Sequence, residues 1–155
     1  MKKTIAVILS AALLSSFTVL AEPAKSKKHA ADAIKYRQAI FKLVKSNVGA
    51  LGAMNKGAIP FNADTLQTNA IRLEQLSLML EDYFATDTSA FDVDTETLDK
   101  VWKDKVDFKE KIDALTAAAV NLKNVAKVEN ESKYKSAIGA VLKTCKGCHS
   151  DYKAD

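Results

Sequence analysis

Four stretches of this chain repeat their apolar residues every three to four positions, and none alternates convincingly at every second one. That pattern confines the fold to packed helices. From about Ala31 to Met54 the stripe is Ile34, Phe41, Val44, Val48 and Leu51, and Gly57 and Pro60 punctuate its end. Asn62-Ala63-Asp64 offers N-caps for a second helix reaching about Phe84, striped by Leu66, Ala70, Leu73, Ser77 and Leu80. A Thr-, Asp- and Ser-rich loop covers 85–94. The third helix is expected from about Thr95 to Val125, with Leu98, Val101, Trp102, Phe108, Ile112, Leu115, Ala119 and Leu122. After a break near Asn130 a fourth runs from about Ser132 to Tyr152, with Tyr134, Ile138, Val141, Leu142 and Cys145. Five glycines and two prolines are too few to turn a β-sandwich or barrel. The expectation is all-α: an up-down-up-down antiparallel four-helix bundle. Only the loop before the third helix is long enough to wrap over something.

The first residues stand apart from this bundle. Met1-Lys2-Lys3 is basic, Thr4 to Leu20 is an apolar run, and Ala21 is a small residue suited to cleavage. Residues 1–21 therefore read as a signal peptide that is removed, and 22–155 as the mature domain. The apolar run is short against the ~20 residues a membrane span needs, so no stable membrane anchor is expected. Losing Lys2 and Lys3 lowers the formal charge from +4 to +2, too little for a nucleic-acid footprint. Glu22 to Lys28 reads as a charged, frayed lead-in. Export places the chain in an oxidising compartment, the periplasm, where a free thiol pair does not persist unless something consumes it.

Cys145-Lys146-Gly147-Cys148-His149 is such a pair followed by a histidine, the C-x-x-C-H arrangement that attaches a c-type haem. Positions i, i+3 and i+4 share one face of a helix. Both thiols there can form thioethers to the two vinyl groups of one porphyrin, and His149 can ligate the iron from beneath. A thioredoxin-like redox pair is the first alternative, but it starts a helix after a strand, and no strand is expected. Structural zinc wants four ligands, where three are present. One covalently bound haem c is the expected cofactor.

The opposite side of the iron sets the function, because a second strong ligand makes an electron carrier and an open position binds small gases. The remaining ligand types are His29, Met54 and Met79. Met54 lies about 20 Å further along the helix than Phe41, at the other end of the bundle. His29 is at the haem end but precedes the periodic region. Met79 is at the same end, where a packing role serves it as well. Phe41 faces inward, and it suits plain core packing and a ring over the iron equally.

Several further residues make the chain resemble the cytochrome c′ family. They are Lys35-Tyr36-Arg37-Gln38, Lys56-Gly57 with Pro60-Phe61, Val101-Trp102 with Phe108, and Cys145 through Tyr152. The haem motif lies at the C-terminus, where most small c-type cytochromes carry it near the N-terminus. The resemblance implies that Phe41, four residues after Arg37, faces the iron and leaves it five-coordinate and high-spin; low-spin relatives carry Met there. It also implies that Arg37 and Gln38 contact the haem edge, Arg37 pairing with a propionate, whereas the sequence alone leaves Arg37 a solvated surface charge. Glu96 matches the position that approaches the haem from the loop before the third helix. Trp102 is placed near the porphyrin or in ordinary core. The basic residue four places after His149 is Lys153 where the family usually has Arg, which removes a guanidinium fork.

The expected function is therefore a periplasmic haem protein that binds NO or CO, with no catalytic residues. Phe41 offers no hydrogen-bond donor to stabilise bound O₂. One-electron transfer to a redox partner protein is the alternative, and a cofactor-free structural bundle is the third. The family commonly forms homodimers through the first two helices, where Leu43, Ala50, Ile71 and Leu78 face outward.

Overall fold

The structure, a computed structural model, describes residues 21–154. Apart from Ala21, the expected signal peptide lies outside the described residues. Four long helical columns form the bundle: α1 (Lys27–Asn55), α2 (Ala63–Leu78) continued by α3 (Leu80–Tyr83), α5 (Lys105–Lys127) and α6 (Glu131–Tyr152). A single turn, α4 (Lys100–Lys103), precedes α5. Packing runs α1 against α2, α2 against α5, α5 against α6 and α6 back against α1. This is the expected four-helix bundle.

Local chemistry sets the helix ends. The side chains of Ser26, Asn62 and Asp104 accept from the backbone N–H of His29, Thr65 and Asp107 at 3.1, 2.7 and 3.3 Å, each satisfying a donor that a helix start leaves unpaired. Gly57 takes the left-handed turn after α1 at φ 73°, where a Cβ would be strained. The core is built from residues such as Leu51, Leu66, Leu73, Leu122, Ile138 and Val141. Each such side chain contributes about 1.5–3 kcal/mol when fully buried.

Three boundaries differ from the sequence expectation. The second helix is interrupted at Met79, two residues after Ser77, whose hydroxyl donates back to the Glu74 carbonyl at 2.8 Å; such back-bonding bends helices. The third does not begin at Thr95. Residues 95–99 instead tie their backbone to the tail, where Leu98 N donates to Tyr152 O at 3.0 Å and Ala154 N to Glu96 O at 2.8 Å. Asp104, in a non-helical conformation, then separates α4 from α5. The expected absence of strands also fails. Glu22–Pro23 (β1) pairs in parallel with Thr86–Asp87 (β2), and the lead-in is held by Glu22 N→Ala85 O at 2.9 Å and Ala24 N→Asp87 O at 2.8 Å rather than frayed. Two residues per strand are too few to show an alternation in sequence.

Candidate cofactor site

The α1–α6 seam opens near the C-terminal end of α6 into a cavity of about 700 Å³, mostly apolar, within the range of sites that take a cofactor. Its apolar walls include Ile34, Val44 and Val48 of α1, Leu80 and Phe84 below α2, and Phe108, Ile112 and Leu115 of α5. α6 contributes Thr144, Cys145, Cys148, His149 and Tyr152. Both thiols are half-buried and unpaired with each other. Burial pushes the Cys148 thiol up to about 11 and raises Cys145 too. A redox-active pair needs a depressed pKa, so these thiols are not tuned for exchange. His149 lies on the cavity wall, exposed, one residue beyond Cys148. Two thiols and an imidazole on one helical face of an apolar, cofactor-sized cavity fit an anchored porphyrin.

Phe41, Gln38 and Glu96 all line this cavity. Phe41 stays 36% exposed and meets Phe84 edge-on at 6.2 Å between ring centroids. The aromatic wall continues from Phe84 to Phe108 at 4.9 Å and from Phe108 to Tyr152 at 5.0 Å. The Tyr152 hydroxyl donates to the Asp107 carboxylate, and burial, with that bond, holds the phenol protonated. Glu96 pairs with Lys153 at 3.1 Å, so the loop that lines the cavity is strapped to the chain's tail. Of the ligand types considered for the iron's other side, none reaches the site. Met54 is buried at the other end of α1, Met79 is 40% exposed between α2 and α3, and His29 sits in a separate pocket with Asp32 and Tyr36.

Arg37 departs from the reading that the sequence alone gave it. It is 2% exposed, not a solvated charge. It lines the cavity, and its guanidinium also binds the segment after α3. Nε donates to Tyr83 O at 3.0 Å, Nη1 to the Thr88 hydroxyl at 3.2 Å and Nη2 to Thr86 O at 2.6 Å. The group lies 4.9 Å from the Phe84 ring centroid and 5.0 Å from that of Trp102. Burial lowers its pKa to about 10, while Asp87 pulls the other way; it remains a cation at neutral pH. Trp102 belongs to this cluster and not to the cavity wall, its Nε1 donating to Phe84 O at 3.0 Å. Sequence reasoning missed Lys42, Lys45, Lys111 and Tyr152 as cavity residues. The helical spacing of Lys42 and Lys45 after Gln38 was the available signal.

A family model described as Cytochrome C′ matches residues 32–153. The cytochrome c′ of Rubrivivax gelatinosus is 34% identical over 122 residues, 79% of this chain and 94% of the relative. Among solved structures, cytochrome c prime from Shewanella frigidimarina is 41% identical, with a TM-score of 0.73 over 81% of this chain and 97% of that one. A ferrous variant of cytochrome c prime from Alcaligenes xylosoxidans with bound NO is 30% identical, with a TM-score of 0.71 over 81% of this chain and 96% of that one.

Proposed function

The chain belongs to the cytochrome c′ family, and from that premise we propose a periplasmic haem protein that binds NO or CO at a five-coordinate iron. One haem c is its cofactor, attached through Cys145 and Cys148. When bound, the haem would supply an iron able to take a small diatomic ligand. His149 is the residue that holds the iron. The observation that carries the reading is the composition of the cavity wall, which has one histidine and no methionine. Without a second strong ligand from the chain, one side of the iron is left to exogenous molecules.

Phe41 guards that side. Its ring gives no hydrogen bond and must swing away before a ligand enters, and its partial exposure and single edge-on contact with Phe84 leave it room to do so. The apolar wall excludes water and withholds the donor that O₂ needs, which selects NO and CO. The NO complex of the Alcaligenes xylosoxidans relative supports the same assignment here. The chain binds its ligand and does not transform it.

Export rests on the leader at 1–21, and among the described residues no helix is long and apolar enough to cross a membrane. Leu43, Ile71 and Leu78 stand exposed on α1 and α2, an apolar face that a second copy of the chain would cover.

The test is the ferrous absorption spectrum of the exported protein, with its mass. One haem added to the mature polypeptide, a broad unsplit Soret band and a new spectrum on adding NO or CO are expected. A sharp low-spin α band would overturn five-coordination and favour the electron carrier. His149→Ala should abolish the native iron spectrum; an unchanged one would remove His149 as the ligand.

A further inference from the structure

We propose that the outer face of α6 docks an acidic one-electron donor protein. The inference rests on the haem reading above. Between Glu131 and Asp151 the helix carries no carboxylate and four lysines, Lys133, Lys135, Lys143 and Lys146. All four are exposed, and none has a carboxylate within ion-pair reach among the described residues. Across the seam, residues 33–63 hold no carboxylate either. The acids collect instead between Glu81 and Asp113, where eleven stand against five lysines. A nearly neutral domain therefore carries a strip of one sign, which attracts an anionic surface. From Lys133 to Lys146 the strip runs about 20 Å, a length that fits the roughly 800 Å² one partner gives to a standard interface. Gly139 sits mid-helix within it, where glycine weakens a helix, and a Cβ there would meet nothing within 4 Å. No packing inside the chain requires that glycine; it leaves room for a close approach from outside.

The occupant is a protein and not a lipid surface. A helix that lies on a membrane buries Trp, Phe or Leu beside its lysines, and α6 exposes no large apolar side chain. The occupant's chemistry follows from the cavity, which opens along the same seam. Lys146 stands between Cys145 and Cys148, so a partner on the strip lies beside the cofactor's attachment. CO binds ferrous and not ferric iron, and an oxidising compartment drains electrons from the ferrous form. Ligand binding there needs an electron supply. In the docked pair one electron leaves the partner's reduced centre and turns ferric iron ferrous, the partner is oxidised by one electron, and no bond forms or breaks.

The experiment uses the exported, haem-loaded protein, with a plant-type [2Fe–2S] ferredoxin as the probe, a small acidic one-electron donor. In stopped-flow mixing, reduced ferredoxin should reduce the ferric protein at a second-order rate that falls about tenfold as ionic strength rises from about 0.01 to 0.15 M. Lys143→Gln with Lys146→Gln should slow that rate about threefold or more at low salt. The same variant should weaken binding to immobilised oxidised ferredoxin in surface plasmon resonance, a readout that needs no electron transfer. Lys103→Gln with Lys109→Gln makes the same change in net charge at lysines paired with Asp99 and Asp113; it should leave rate and binding within about 1.5-fold. A rate that ignores salt, or equal slowing in the two variants, overturns the proposal. So does binding to phosphatidylglycerol vesicles with none to ferredoxin, which assigns the face to a membrane. Ferredoxin binding by a protein with no haem spectrum would instead overturn the haem reading, and the electron transfer with it.

Discussion

Arg37→Met should destabilise the folded protein by about 3 kcal/mol, because Arg37 is the residue through which α1 grips the segment after α3. Three bonds are lost at Tyr83 O, Thr86 O and the Thr88 hydroxyl, the last of these on a residue only 3% exposed. Hydrogen bonds to a charged donor contribute about 1.5–3 kcal/mol each, and an abandoned buried acceptor costs about 1–3 kcal/mol. The rings of Phe84 and Trp102 lose a cation worth about 0.5–2 kcal/mol apiece. Against these stands the release of a buried charge, which offsets a large part of the sum; methionine also refills much of the volume. About 3 kcal/mol lowers the unfolding temperature by about 10 °C in a domain of this size. The measurement is denaturant unfolding of the haem-loaded protein, followed by helical circular dichroism, with amide exchange as a second readout. Exchange should quicken at Glu22 and Ala24, whose N–H groups bond the 85–87 backbone that Arg37 steadies. A change under about 0.5 kcal/mol, the range of an ordinary surface substitution, would refute the reasoning.

Phe41→Ala should speed CO binding several-fold in stopped-flow mixing, since the ring that must move is gone; an unchanged rate would show that the gate lies elsewhere. Replacing both Cys145 and Cys148 with Ala removes the anchors, and the exported chain should lose fixed side-chain packing around the cavity. That loss is read as a weakened near-ultraviolet dichroism with far-ultraviolet helicity largely kept. A full near-ultraviolet signal would show that the bundle packs without the attached group.

The bundle was legible because its columns are long and periodic. The stripes Leu66–Ala70–Leu73 and Ile112–Leu115–Ala119–Leu122 are the residues that prove buried. What escaped were contacts made far along the chain. Nothing local to Glu22–Pro23 says that it will meet Thr86–Asp87, and nothing in Thr95–Asp99 says that its backbone will bond to Tyr152 and Ala154. The site was legible at its covalent end, since C-x-x-C-H fixes three residues by spacing alone. Burial of Arg37 was not legible. The acceptors within the chain that hold it, two main-chain carbonyls and a hydroxyl of the 83–88 segment, lie far along the chain and a sequence does not display them.

The position of the cavity follows from one helix running out of bulk. In its first half α6 turns Tyr134, Ile138 and Val141 inward, and these fill the bundle axis. From Thr144 onward the same face offers Thr144, Cys145, Cys148 and His149, opposite a row on α1 that keeps its apolar stripe. A gap of about 700 Å³ leaves its apolar walls without packing partners unless something fills it. The Cys-x-x-Cys-His residues thus act twice. The two cysteines anchor a flat apolar group, and being small they leave room for it on the face where Ile138 and Val141 fill the axis above. The same face of α6 therefore packs the bundle in its first half and opens the site in its second.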